Sequence, residues 1–381
     1  MTPQNTRFAH IDCLRAIAAI LVIWMHTSEH FVLFAAPSFQ DRLNDISHFA
    51  DFGRLGVVIF FAISGFVIPS SLKPGQPGAC REFLIKRLFR LYPIYWISIP
   101  FGLVTFWYLW GKEISLATVF WNLTMVQEAL GFTSVQGQYW TLQTELVFYS
   151  LCVMLFLKGW LHSAYVLCAL VVVSSALCLL PIGLAFIGHI SPFTLPPALS
   201  TLALNLGVMF WGALFRIWYD KKPMPVLTRL AVFGFIGVWS AMAVFAVAYY
   251  LLVNADIKIL HFFVPYALGV AAFAGLAIYG KVKTPWLVWL GTISYSLYLF
   301  HPVVFYTLSW LAQIGQVQWL QGWPTGAYML ASLAGTIALS SLTYRYIEQP
   351  AMRLGNALAR KRSLRPAPRV ALAQSTTTTA L

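Results

Sequence analysis

Charge is scarce in this chain. Asp, Glu, Lys and Arg make up 10% of its 381 residues, and hydrophobic residues make up 59%. Water-soluble globular proteins carry about a quarter charged residues, so an ordinary soluble globule is excluded. Long polar stretches are missing too, because apolar runs occur in every region, and one membrane domain is expected. Acidic residues are fewest, 12 against 25 basic ones, for a net charge of +13. A nucleic-acid binder would gather such an excess on a polar face. Here the basic residues lie between hydrophobic runs and in the C-terminal tail, so no nucleic-acid partner is expected. The five cysteines (Cys13, Cys80, Cys152, Cys168, Cys178) are odd in number and form no CxxC pair. Neither a disulfide framework nor a zinc site is supported, and no metal or permanently bound cofactor is expected. No internal repeat is evident, which weighs against a transporter built from inverted halves.

What is present is a succession of apolar segments. Spans are predicted at 11–33, 54–71, 90–110, 140–158, 163–181, 199–219, 228–252, 261–280, 286–311 and 326–346. Each is close to the ~20 residues that cross the hydrocarbon layer as a helix. Lipid offers no partner for backbone groups, so the spans must be helical, and the fold class is an all-α polytopic transmembrane bundle of about ten helices. Arg7 ahead of the first span and Phe34-Ala35-Ala36 after it resemble a signal peptide. Arg15 inside the run and the many later spans favour a retained helix. If the N-terminus lies in the cytoplasm, 21 of the 25 Lys and Arg residues fall on the inner side. The outer side holds only Arg42, Arg54, Lys112 and Lys258. The positive-inside rule thus supports the span count and puts both termini in the cytoplasm, with the lipid bilayer as the first partner. Residues 8–350 form the membrane domain, and 351–381 read as a basic, disordered tail held near anionic headgroups.

Polar groups inside spans are costly unless they face protein or water, so their default reading is functional. Arg15 lies about one turn into the first helix, and His26 lies roughly 16 Å further along the same face. Glu145, in QYWTLQTELVFYS, is expected about a turn below the outer end of the fourth helix. His301, in SYSLYLFHP, should reach a similar depth from the other side. His26, Glu145 and His301 therefore form an expected outer cluster of imidazoles with a carboxylate to orient one of them. Arg15, Arg87 and Arg90, joined by Arg345 and Glu348, form an inner cluster whose guanidinium groups suit phosphates or another anion. A donor anchored inside by its phosphates, with a thin arm reaching a base nearer the outside, fits that layout; an acyl-CoA is such a molecule.

Structural readings stand beside these. Arg15 could snorkel to the headgroups; Arg87 and Arg90 could be positive-inside anchors. His26 and His301 could be hydrogen-bonding struts between helices, and Glu145 could be solvated near the interface. Glu348 is expected to pair with a nearby arginine. Gly56, Ser64 and Gly65 in GVVIFFAISGFVI are expected to serve close helix packing rather than a break.

Six segments taken in order, IDCLRAIAAILVIWMH, GVVIFFAISGFVI, RLFR with LYPIYW, WTLQTELVFY, ISYSLYLFHP and YRYIEQP, resemble the acyltransferase 3 family of integral membrane acyltransferases over residues 8–350. The resemblance implies that Arg15 and His26 are the family's first-helix motif, with His26 catalytic. It implies that Arg87 and Arg90 lie near a cytoplasmic acyl-CoA, and that Glu145, with Trp140 and Tyr149, assists His26. Ser294, Tyr295 and His301 match a further signature. The implied reaction moves an acyl group, acetyl above all, from acetyl-CoA or another acyl-CoA to a hydroxyl of a surface carbohydrate or glycolipid. The implied location is the bacterial inner membrane. Some members of the family continue into an SGNH-type esterase domain. Here 33 residues of low complexity follow Glu348, so the membrane domain is expected to finish the transfer itself or hand over to a separate protein. A transporter or flippase for a glycan or organic anion is the alternative, using the same polar seam as a pathway.

Overall fold

The computed structural model describes residues 8–36, 41–186, 196–253, 256–280, 282–315 and 317–363. The chain is all-helical: α1 (Ala9–Phe31), α2 (Asp41–Phe49), α3 (Phe52–Val67), α4 (Ala79–Gly102), α5 (Leu116–Asn122), α6 (Trp140–Leu157) and α7 (Ala164–Phe186) are followed by α8 (Pro197–Tyr219), α9 (Val226–Val253), α10 (Lys258–Gly275), α11 (Pro285–Thr292), α12 (Ser294–Gln313), α13 (Thr325–Thr343) and α14 (Gln349–Ser363). Among the described residues nine helical segments are long and apolar enough to cross a membrane, and α11 with α12 makes a tenth if taken as one bent span. The expected bundle of about ten helices is therefore present.

Close approach in the core depends on glycine. An added Cβ at Gly65 would stand 1.9 Å from the Met209 carbonyl oxygen of α8, and one at Gly56 would stand 2.5 Å from the Ala18 carbonyl oxygen of α1. Both glycines of the third element serve packing, as expected. Ser64 differs: its hydroxyl donates to Glu145 Oε1 at 3.2 Å.

Three departures from the sequence reading shape the site. The expected ninth span, 286–311, is not one helix; α11 and α12 meet at a 74° bend around Ile293. The segment between α4 and α6 does not stay outside the bundle. It folds back along α4, where Tyr92, Tyr95 and Trp96 donate to the carbonyls of Thr124, Asn122 and Leu123 at 3.0, 2.6 and 3.0 Å. Irregular backbone within a membrane is tolerated only when protein satisfies it. Asn122 completes this by receiving Val135 N–H at 2.9 Å and donating to the Thr133 carbonyl at 2.9 Å. Finally, the chain stays helical through Ser363, so the first part of the segment read as a disordered tail is the helix α14. Residues 364–381 lie outside the described residues. Gly355 lets α14 rest on Phe89 of α4, where a Cβ would come within 2.6 Å of the Phe89 Cβ.

Candidate active site

The start of α1, the 72–78 turn and α14 share one end of the bundle, termed the basic end; α2 lies at the far end. Between them run three cavities. The far cavity, about 460 Å³, is lined by His26, Glu29, Asp51, Arg54, Gln138 and His301, with Phe106, Trp140 and Tyr306 among its aromatic walls. A narrow middle cavity of about 90 Å³ is lined by Arg15, Ser64, Arg87, Arg90, Glu145, Tyr149 and Tyr295. At the basic end a third, about 450 Å³, is lined by Lys73, Gln76, Glu82, Lys86, Arg87, Arg90, Met352 and Asn356. Neighbouring cavities share walls: Val57 and Tyr298 line both the far and the middle one, and Arg87 and Arg90 line both the middle and the basic-end one.

The expected pair of imidazoles is brought together. The His26 and His301 rings stack with centroids 5.4 Å apart and planes 21° from parallel. His301 is fully buried, and its Nδ1 lies 2.8 Å from the Tyr298 carbonyl oxygen. A carbonyl only accepts, so Nδ1 carries the proton and Nε2 is left as an acceptor in the neutral ring. That Nε2 has no hydrogen-bond partner among the described residues.

Glu145 is not with them. It lines the middle cavity beside Arg15, Arg87 and Arg90, and its Oε1 accepts from Tyr149 at 2.5 Å and from Ser64 at 3.2 Å. The expected outer position of Glu145 is corrected by the folded-back segment, which delivers the chain to mid-bundle before α6 begins. Gln138 Nε2 already donates to the Leu299 carbonyl of α12 at 3.2 Å, and Thr141 Oγ1 lies 2.8 Å from the Tyr298 hydroxyl. One further turn carries Glu145 to the arginines.

The carboxylates that do stand in the imidazole cavity are Glu29 and Asp51, neither of which the sequence reading singled out. Glu29 lies three residues after His26, hence on the same helical face; that spacing was the available signal. Asp51 adopts a left-handed φ of 41°, caps α3 by accepting Arg54 N–H at 2.9 Å, and pairs with the Arg54 guanidinium at 3.4 Å. Arg54 also donates to the His261 carbonyl.

Two of the arginines are held by local contacts. Arg15 Nη1 pairs with Asp12 at 3.1 Å. The Arg87 guanidinium sits 5.5 Å from the Phe83 ring centroid and 5.4 Å from that of Tyr149, an arrangement that orients a cation without neutralising it. Glu348 is buried and accepts from Ser296 at 2.7 Å. No arginine pairs with it within salt-bridge distance among the described residues, so the expected ion pair is replaced by a hydroxyl contact. No group of three potential metal ligands occurs among the described residues.

The site thus has imidazoles at one end, arginines and lysines at the other, and a narrow cavity that shares wall residues with both. A family model described as an acyltransferase domain matches residues 8–345. Nodulation protein 10 of Rhizobium leguminosarum bv. viciae is 26% identical, with 95% of this chain and 99% of that protein covered. Acyltransferase MdmB of Streptomyces mycarofaciens is 25% identical, with 97% of each covered. Peptidoglycan O-acetyltransferase OatA of Listeria monocytogenes serovar 1/2a is 24% identical over 92% of this chain, which spans 58% of that protein's length. No solved structure matches. The match across nearly the whole chain favours an enzyme over a transporter. This multi-pass membrane protein belongs to the acyltransferase 3 family and is an acyltransferase.

Proposed function

We infer that the protein transfers an acyl group, acetyl in the first instance, from cytoplasmic acyl-CoA to a hydroxyl of a surface carbohydrate or glycolipid. The observation that carries this reading is the file of cavities. Donor phosphates would engage Arg87 and Arg90, and the pantetheine arm would thread the middle cavity. The thioester would then arrive at the Val57–Tyr298 partition, beyond which His26 and His301 face the far cavity. The similarity to the Listeria peptidoglycan O-acetyltransferase supports a glycan hydroxyl as acceptor. So does the mix of aromatic walls, amides and carboxylates around His26, which suits a polyhydroxylated ring. The excess of basic residues at one end supports a bacterial inner-membrane orientation with both termini in the cytoplasm.

In the proposed reaction, neutral His26 takes the proton of the acceptor hydroxyl as its oxygen attacks the thioester carbonyl carbon. The C–S bond breaks, and the CoA sulfur leaves and takes up the proton held by His26. Glu29, on the same face of α1, supports the charge on His26. His301 offers Nε2 as an acceptor and so orients a hydroxyl. Glu145 serves the donor passage instead of the imidazoles. A variant route acylates His26 first and transfers from it.

Substitution His26→Ala in the producing cell, with analysis of surface-glycan acyl groups, is the direct test. Loss of acylation is expected, and near wild-type acylation would remove His26 from the chemistry. Single-turnover labelling with radioactive acetyl-CoA separates the two routes, since a labelled protein is expected only from the second.

A further inference from the structure

The basic-end cavity holds more positive charge than a diphosphate requires. Four cations line it, Lys73, Lys86, Arg87 and Arg90, against one carboxylate, Glu82. Arg87 and Arg90 also line the middle cavity, so they stand at the junction where a diphosphate would sit with its arm pointing inward. Lys73 and Lys86 line the open cavity but not the middle one. Glu82 is shared between Lys86 at 2.5 Å and Gln76 at 2.6 Å. No ion pair of Lys73 appears among the described residues, so the cavity keeps unmatched positive charge beyond the arginine junction.

Its remaining wall comes from α14, which follows the stretch matched by the family model. Because Gly355 seats α14 against Phe89, Met352 and Asn356 face the cavity and offer an apolar surface and an amide. An apolar surface with an amide suits a nucleobase, and lysines set apart from the diphosphate site suit a separate phosphate. At about 450 Å³ the cavity is within the ~300–1,000 Å³ range of small-molecule sites.

We propose that this cavity binds the 3′-phosphoadenosine end of coenzyme A, with Lys73 and Lys86 on the 3′-phosphate and α14 against the base. These two lysines then select coenzyme A over thioesters that lack the ribose phosphate. The proposal rests on the reading of acyl-CoA as donor. Ammonium groups recognise a phosphate as point charges, so each contact should be sensitive to salt and tolerant of Lys→Arg exchange.

The test is equilibrium binding to the purified full-length protein in detergent, with coenzyme A, 3′-dephospho-coenzyme A and 4′-phosphopantetheine as probes. Coenzyme A should bind about tenfold or more tightly than the dephospho form, a margin consistent with charge-assisted contacts to one phosphate. The exposed pair Lys73→Ala with Lys86→Ala should erase that margin while leaving dephospho-coenzyme A within about twofold of wild type. Lys73→Arg with Lys86→Arg should retain it. Equal binding of the two coenzymes to wild type, or an undiminished margin in the alanine variant, overturns the lysine assignment but leaves the donor reading standing. Failure of all three probes to bind overturns both.

Discussion

His301 donates through Nδ1 to the carbonyl of Tyr298, 2.8 Å away within the same helix. That carbonyl is available because Pro302, four residues beyond Tyr298, has no N–H to give it. Arg54 relies on the same device. It binds the His261 carbonyl, which Pro265 of α10 leaves free in the same way. Two residues of the imidazole cavity are thus held by acceptors that prolines release.

Pro302→Ala should restore the competing amide and loosen His301. The expected result is a fall in kcat of about tenfold, the equivalent of one hydrogen bond. Donor affinity should be unchanged, and the thermal midpoint should stay level or rise. An unaltered kcat would mean that the tautomer of His301 does not matter to the reaction.

Glu145 lines the middle cavity with Arg15, Arg87 and Arg90, and with that cavity proposed as the donor's path its loss should appear in donor KM. Glu145→Ala removes the acceptor for Tyr149 and Ser64 and lets Arg87 shift from the Tyr149 ring; donor KM should rise about tenfold. Glu145→Gln keeps an oxygen for both hydroxyls and should stay within about threefold. The pH profile of kcat should match wild type in both. A changed profile would instead tie Glu145 to His26.

Tyr298 stands between the far and middle cavities, its hydroxyl 2.8 Å from Thr141 Oγ1 and 3.2 Å from the Gln138 carbonyl. Tyr298→Ala should widen the junction at which the thioester meets the acceptor and raise acceptor-independent hydrolysis of acetyl-CoA by about tenfold, because more water from the far cavity reaches the thioester. Tyr298→Phe keeps the ring as a barrier and should hydrolyse little more than wild type. Equal hydrolysis by the wild-type and alanine proteins would refute a partition role.

Gly65→Ala should be among the most damaging single substitutions outside the cavities. Its Cβ would meet backbone, the Met209 carbonyl at 1.9 Å, which cannot rotate aside as a side chain can. A cost of about 3 kcal/mol or more is expected, read as a lowered thermal midpoint or the loss of monodisperse protein in detergent.

The sequence alone determined that this is a helical membrane protein of about ten spans, and it singled out two imidazoles and three arginines that line the cavities. Those features are local: a run of about twenty apolar residues can satisfy its backbone in lipid only as a helix, and a charge within such a run stands out by its cost. Only the tertiary structure decided which of these groups meet. The depth of Glu145 depends on the segment 109–139 lying along α4, held by Tyr92, Tyr95, Trp96 and Asn122. A hydropathy pattern cannot register this, because each of those hydrogen bonds joins residues far apart in the chain. The bend at Ile293, the use of Glu29 and Asp51 around His26, and the wall that α14 adds beside Lys73 and Lys86 depend in the same way on packing between helices. Periodicity along a single helix carries no record of it.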